Sequence, residues 1–392
     1  MNREEIAESI TNAQSNEILC ELPTGVGKTR LALDFIGTKE GINKILIVVP
    51  RLVLINNWKD EIRKWGYERL LPSIEFVTYV SFPKKVGVYD VILFDEVHHF
   101  SERCRDAFTD FRYKYVIMLS ATVGRNMRKE LNYMFRNLEI FHISPRKAIE
   151  GNIIPDPKVF LLPISLDNQK INCQIIKNKS QKSSVRCLYG DRFKYANVKN
   201  KKIIIDCTER QYYEDLSSLI VWYKKKASFS SVFKNMFLHK SGERIKWLSQ
   251  RKTEYVKDLL KILKNKRTLT FCSSIAQTEE LGDYCINSKN VQAKEFLDSF
   301  NNHEINHITA CDMLNEGCNL VDCQYGIYAS LHSSERLITQ QLGRILRHPE
   351  PILIIPYFMN TRDEEIVKKM LENYNPELVT TITNRTKLNE QN

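Results

Sequence analysis

The chain has 392 residues, too many for one ordinary core and suited to two or three domains at about 100 to 200 residues each. With 43% hydrophobic and 27% charged residues it has the make-up of a folded protein, and no apolar stretch approaches the roughly 20 residues that span a bilayer. Its net charge of +11 is concentrated: residues 165–266 hold 24 Lys and Arg against 9 Asp and Glu, while the remainder holds 34 against 38. The first 150 residues alternate short apolar runs with helical patterns, the βαβ signature of a covered parallel sheet. Ile18–Glu21, Ile45–Val49, Ile74–Thr78, Val91–Phe94 and Tyr115–Leu119 read as strands, with amphipathic helices near Lys28–Ile36, Leu52–Trp65, Glu102–Asp110 and Arg125–Phe135. A proline-marked stretch, Pro145–Pro163, reads as a linker.

The basic segment follows, with a hairpin region at Ser184–Asp206 and a helical one at Glu209–Lys225. Tyr189, Phe193, Trp222, Phe229 and Trp247 are among its interleaved aromatics, a composition that suits a nucleic-acid surface or, equally, a solvated Lys-rich face on a small aromatic core. The βα alternation then returns: helix Thr253–Lys264, strand Thr268–Cys272, helix Ile275–Ile286, strands Ile305–Thr309 and Tyr325–Ser330, helix Ser334–Arg347 and strand Ile352–Pro356. A last helix, Asp363–Tyr374, precedes a polar tail. The expected division is therefore an α/β domain at 1–150, linker and basic insertion at 151–245, a second α/β domain at 246–358, and a C-terminal helix and tail at 359–392. Residues 1–9 have neither a secretory apolar run nor the acid-poor look of a transit peptide, so a cytoplasmic location is expected, or wherever the substrate is held. The ten cysteines form no C-x-x-C pair and read as free buried thiols.

Two motifs carry chemistry. Glu21-Leu-Pro-Thr24-Gly25-Val26-Gly27-Lys28-Thr29 sits where a buried strand turns into a helix. Its glycines let backbone N–H groups curl around phosphates, Lys28 reaches the terminal phosphates, and Thr29 binds Mg²⁺; Leu22 stands where the strict pattern has glycine. Val91-Ile-Leu-Phe-Asp95-Glu96-Val-His98-His99 puts two carboxylates at the C-terminal end of an apolar strand, where open parallel sheets bind ligands. Asp95 would hold Mg²⁺ and Glu96 would deprotonate the attacking water. The two histidines lack further ligands at a spacing that zinc would use.

Together these resemble a superfamily 2 helicase of the DExH kind, in which they would be motifs I and II, with Ser120-Ala121-Thr122 as motif III. The family implies two tandem RecA-like domains, ATP and Mg²⁺ as cofactors, and nucleic acid as partner. It also implies that Ser120 and Thr122 couple ATP state to nucleic-acid grip, with His98 bridging toward them. Gln340-Gln-Leu-Gly343-Arg344-Ile-Leu-Arg347 resembles motif VI, whose arginines neutralise charge on the γ-phosphate. Gln341 stands where many members have arginine. Cys311-Asp-Met-Leu-Asn-Glu-Gly317 resembles motif V, with Gly317 at a tight turn near the nucleotide. Phe271-Cys-Ser273-Ser274 resembles motif IV, where a serine meets a strand phosphate or simply caps a helix. Arg51 in the Ia-like loop and Thr78-Tyr79 in the next would face the nucleic-acid backbone, and the position of Arg51 favours DNA-translocase branches over RNA-dedicated ones. The implied activity is a nucleic-acid-stimulated ATPase moving on or unwinding DNA, with a protein partner in replication, repair or defence conceivable. An RNA helicase, a motor subunit of a restriction or defence complex, and a clamp with a relic ATP site are the alternatives.

Overall fold

The computed structural model describes residues 2–168, 170–176, 193–196, 202–311, 320–332 and 334–383. Its first part runs α1 (Arg3–Thr11), β1 (Glu17–Glu21), α2 (Lys28–Gly37), β2 (Ile45–Val49), α3 (Val53–Lys64), β3 (Ile74–Thr78), β4 (Gly87–Asp95), α4 (Glu102–Phe108), β5 (Phe111–Ser120), α5 (Arg125–Met134) and β6 (Glu139–His142). The six strands form one parallel sheet in the order β3-β2-β4-β5-β1-β6. Ile45–Val49 are 0% exposed because helices cover both faces of the sheet, which explains a strand without polar alternation. Helix α3 shows the complementary rule: Leu54, Trp58 and Ile62, four residues apart, are its buried stripe. Helix α1 and strand β6 extend the expected set.

The second part comprises α6 (Pro145–Glu150), β7 (Lys158–Ile164), β8 (Lys170–Ile176), β9 (Phe193–Ala196), β10 (Lys202–Thr208), α7 (Glu209–Lys226), α8 (Ser231–Arg251), α9 (Thr253–Ile262), β11 (Thr268–Phe271), α10 (Ile275–Leu281), β12 (Cys285–Ile286), α11 (Ala293–Asn301), β13 (His307–Ala310), β14 (Tyr325–Tyr328), α12 (Glu335–Ile345), β15 (Ile352–Phe358), α13 (Arg362–Leu371) and β16 (Val379–Thr381). Seven of these strands make a second parallel sheet, β12-β13-β11-β14-β15-β7-β16, so the molecule carries two tandem RecA-like sheets.

The stretch Pro145–Pro163 is not a linker throughout. Pro145 opens α6 behind the Ser144 cap, where a missing N–H costs nothing. Pro163 lies in β7 beyond the residues that pair with β16, so it leaves no bond unmade on that side. Within the basic segment β9 and β10 form the expected hairpin, and β8 adds a third antiparallel strand. Helix α8, with 21 residues, and α11 were not anticipated, and the expected helix Ile275–Ile286 stops at Leu281, followed by Gly282 and the short edge strand β12.

One apolar cluster runs from Ile18 and Leu33 through Ile153 and Ile154 to Ile308 and Leu353, joining the two sheets. Each outer face has its own cluster, centred on Phe94 and Phe100 in the first lobe and on Val256 and Ile327 in the second.

At the start of β13, burial pushes the His307 imidazole from 6.5 down to about 4. Its Nε2 lies 3.1 Å from the Thr270 hydroxyl. The unfolded chain takes up this proton below its ordinary value while the folded chain does not, so stability is complete above pH 6.5 and declines as pH falls toward 4. The expected loss is about 3 kcal/mol. Urea unfolding at about pH 7 and about pH 4.5 measures it, and His307→Gln is expected to flatten that part of the profile.

Candidate active site

Strand β1 delivers the chain to the phosphate-type loop and α2 carries it away. Gly25 and Gly27 sit at φ 95° and 98°, a left-handed region closed to most side chains, so both backbone N–H groups can turn inward. The Lys28 ammonium donates to the Leu22 carbonyl at 3.2 Å, closing the loop on itself. Burial lowers the Lys28 pKa, Glu96 and Asp95 oppose that, and Arg344 and Arg347 add to it. Charges from three stretches of the chain thus act on one ammonium. Val26 is buried, and Thr29 is partly so.

Strand β4 ends at Asp95 after four residues that are 0% exposed. Trp58 donates its indole N–H to Asp95 Oδ2 at 2.9 Å, and the Tyr79 hydroxyl donates to the Asp95 carbonyl at 2.9 Å. Burial, then the neighbouring Glu96 charge, raise the Asp95 carboxyl to about 6, against the Trp58 hydrogen bond and Lys28. Glu96 itself sits at φ 51°, an unusual conformation for a non-glycine residue, and it turns the carboxylate off the strand axis. There Glu96 Oε2 lies 3.3 Å from His98 Nδ1 and 3.4 Å from Ser120 Oγ, and the latter two atoms are 3.2 Å apart. Ser120 Oγ also donates to the Thr122 carbonyl at 2.9 Å. Motif II and the Ser-Ala-Thr segment therefore touch through one triangle of side chains.

From the second lobe comes α12. Arg344 is buried, and Arg347 lies just beyond the helix, which ends at Ile345. The helix ends before Arg347, which a turn presents, and both arginines act on Lys28 as their spacing suggested. Gly343 approaches the phosphate loop so closely that a Cβ there would fall 2.2 Å from Thr24 Cβ. Gln340 is 3% exposed, and neither of its amide atoms has a hydrogen-bond partner among the described residues. A buried amide left this way is suited to a polar ligand. Left-handed glycines, an inward ammonium, paired carboxylates and that orphan amide fit ATP with Mg²⁺, for which Thr29 and Asp95 are the available ligands.

Other expected positions fared unequally. Arg51 is exposed after β2, and Thr78 is partly exposed with its hydroxyl 3.3 Å from that of Ser81. Tyr79 does not face outward: it is 6% exposed, and its role is to brace Asp95 from behind. Ser274 accepts from the Gln277 N–H as the N-cap of α10, and the Ser273 N–H donates to the Gln277 side chain, so the capping reading holds there. Gly317 lies outside the described residues. Glu21 had no anticipated part. It is 6% exposed, pairs with Arg128 and His142, and accepts the Val123 N–H at 2.7 Å, tying the end of β1 to the loop after Thr122. A carboxylate ending an apolar strand was the available signal, since such a group needs partners.

The fold defines a protein of two tandem RecA-like lobes. A model of the Type III restriction enzyme res subunit matches residues 2–84, and one of the helicase conserved C-terminal domain matches residues 251–349. The DNA 3'-5' translocase XPB2 of Sulfurisphaera tokodaii is 25% identical over 373 residues, covering 90% of this chain and 80% of that protein. S. cerevisiae Dbp5 bound to RNA and ADP BeF3 superposes with a TM-score of 0.62 at 9% identity, covering 99% of this chain and 90% of that one. The Pyrococcus furiosus Hef helicase domain does so at 0.51 and 14%, covering 94% and 97%. The chain belongs to the superfamily 2 helicases, ATP-dependent helicases and translocases of nucleic acid. No described helix is long and apolar enough to cross a membrane.

The approach of α12 to Thr24 yields a sharp expectation. Gly343→Ala should hold the lobes apart and lower ATP turnover by about 100-fold, a typical cost of misplacing reacting groups by an ångström. Thermal melting should fall only modestly, because the outer-face cluster of each lobe is untouched while the apolar cluster shared between the sheets is strained.

Proposed function

We propose that this chain is a DNA-directed motor in which ATP bridges the lobes, bound by Lys28 and Thr29 on one side and met by Arg344 and Arg347 on the other. The observation that carries this reading is the convergence of both arginines and both carboxylates on the electrostatics of Lys28. Magnesium, when bound by Thr29 and Asp95, supplies neutralisation of phosphate charge. Glu96 orients the attacking water and takes its proton. The Glu96–His98–Ser120 triangle passes the state of that carboxylate to the loop at Thr122, and Gln340 reaches toward the phosphates. Closure around ATP and opening after hydrolysis then give two states of different strand affinity, which is what moves the lobes along a strand. DNA rather than RNA is favoured by the likeness to a DNA translocase over 90% of the chain and by the exposed Arg51. Arg51, Thr78 and the segment beginning at Ser273 face the strand in this reading, and Gly317 lies near the nucleotide.

Lys28→Ala and Glu96→Gln should abolish phosphate release while leaving strand binding largely intact, and Arg344→Ala should lower turnover by about 10³ to 10⁵. Assays with single-stranded DNA, duplex DNA and RNA decide the substrate; stimulation by RNA alone would replace the DNA assignment, and undiminished turnover in Lys28→Ala would remove the catalytic one.

Helices α7 and α8 form the grip. Lys224, Lys225 and Lys226 are exposed, Phe229 at the turn is 84% exposed, and the Lys226 ammonium lies 4.8 Å from the Trp222 ring centroid. Phosphates meet the lysines and bases meet the exposed rings. Replacing the three lysines by alanine should reduce the dependence of log affinity on log salt by about 0.7 to 0.9 for each phosphate the lysines neutralise in the parent chain. An unchanged slope in salt titrations would move the grip elsewhere. A second reading, the motor subunit of a restriction complex, is favoured by the match at residues 2–84; a mass measurement of the native assembly tests it.

A further inference from the structure

Strands β3, β2 and β4 lie side by side with their C-terminal ends abreast: Val49 of β2 pairs with Thr78, and Val48 pairs with Phe94, the residue before Asp95. The loops that leave β2 and β3 are the first lobe's strand-facing loops in the reading above. Each turns an exposed tip outward and sends one buried side chain back to Asp95.

After β2, Arg51, Leu52 and Val53 are all exposed, a cation beside two apolar groups. Val53 opens α3, and on the buried stripe of that helix Trp58 bonds Asp95 Oδ2 through its indole N–H at 2.9 Å. After β3, Val80 is exposed while Tyr79 is buried, its hydroxyl 2.9 Å from the Asp95 carbonyl. The two loops are also joined to each other, because the Tyr79 N–H donates to the Val49 carbonyl at 3.1 Å.

Asp95 is thus held at both ends, its carboxylate from one loop's helix and its backbone from the other loop. Leu54 and Ile62 complete the stripe of α3 with no polar atom, so packing alone does not call for an indole between them. A buried indole N–H needs an acceptor, and this one takes a carboxylate oxygen. A fixed donor on a metal-holding carboxylate sets the direction in which it can accept an ion.

We propose that Trp58 and Tyr79 are positioning residues that relay strand contact at the loops after β2 and β3 to Asp95, setting the orientation in which its carboxylate takes Mg²⁺. This rests on the reading of Asp95 as a magnesium ligand and of these loops as strand-facing. A displacement of α3 by a bound strand moves the indole and with it Asp95 Oδ2, and a displacement of the loop after β3 moves the backbone that Asp95 shares with Glu96. Neither link passes through the Glu96–His98–Ser120 triangle, so the route is a second one, confined to the first lobe.

Binding measurements on the full chain test this without turnover, using labelled single-stranded DNA, Mg²⁺ and a non-hydrolysable ATP analogue. In the parent, Mg²⁺ with the analogue should change strand affinity by about 5- to 150-fold, the usual span of coupling between two sites. Trp58→Phe, which keeps an apolar ring without the N–H, should bring that factor close to one and raise the Mg²⁺ needed for half-maximal analogue binding by about 10- to 100-fold. Tyr79→Phe, which loses only a hydroxyl, should also lower the factor, and it carries the test alone where Trp58→Phe does not fold. Leu54→Ala, on the same stripe, should lower the melting temperature and leave both the factor and the Mg²⁺ requirement at their parent values. A factor that survives in Trp58→Phe and Tyr79→Phe, or that is lost equally in Leu54→Ala, would overturn the relay and leave the motor standing. A parent chain that binds no analogue, or whose strand affinity is indifferent to it, would overturn both.

Discussion

The partly buried ammonium of Lys28, acted on by two carboxylates and two guanidiniums, is the constraint on which this molecule turns. Desolvation works against the charged form of Lys28, and the fields of Asp95 and Glu96, with the Leu22 carbonyl, hold it. The arginines of the second lobe then add positive charge that acts on the same ammonium. Closed without a polyanion, the seam gathers three cationic groups against two carboxylates, one of which, Asp95, is itself held up at about 6. A triphosphate relieves that imbalance, so the electrostatics of the closed form already describe the ligand it suits.

Backbone conformation makes this convergence possible. Gly25 and Gly27 curl the loop, and Gly343 permits helix α12 to lie against Thr24 with no side chain between them. Glu96 has no such licence. Its left-handed conformation costs of order 1–3 kcal/mol, a cost that the surroundings must offset. They do so with a specific triangle: His98 and Ser120 both meet the Glu96 carboxylate, and they meet each other. Behind it, Trp58 and Tyr79 fix the preceding residue from two sides. The strained carboxylate is thus held between its own loop and the end of β5.

Much of this was legible in the residues because chemistry and position coincide in short segments. The run from Thr24 to Thr29 and the pair Asp95-Glu96 are local, each following an apolar strand, and a parallel sheet puts the ends of such strands together. What could not be read depends on long-range packing. Strand β7 was hidden by its prolines, since whether Pro163 breaks a strand depends on how far its neighbour β16 extends, which no local pattern records. Tyr79 looked like a surface aromatic following a strand; only the fold reveals that it turns inward to the Asp95 carbonyl. That α12 stops at Ile345, leaving Arg347 on the turn beyond it, was likewise not written in the local pattern. Gly343 carried a fainter signal, a helix-interior glycine whose intrinsic cost needs a packing reason.

The position of the basic segment follows from the same topology. It leaves the second sheet at β7 and returns to it at β11, so it is an excursion from that lobe rather than a tether between lobes. Its helices are bound there firmly: Lys252, 0% exposed, pairs with Asp363 at 2.9 Å, Arg210 donates to the carbonyls of Met359 and Asn360, and the Tyr213 hydroxyl accepts the Arg362 N–H. Tyr213 and Leu248 also share a small core with Ile164 and Phe358 of the sheet. A buried ion pair is weak evidence for net stability, but breaking one is costly, so it resists independent motion of the parts it joins. The exposed end of α7 and α8 is thereby fastened to the lobe that carries the arginines of α12. A rotation of that lobe would carry the lysines and Phe229 at the end of these two helices with it, through the buried pair and the small core that fasten them to the sheet.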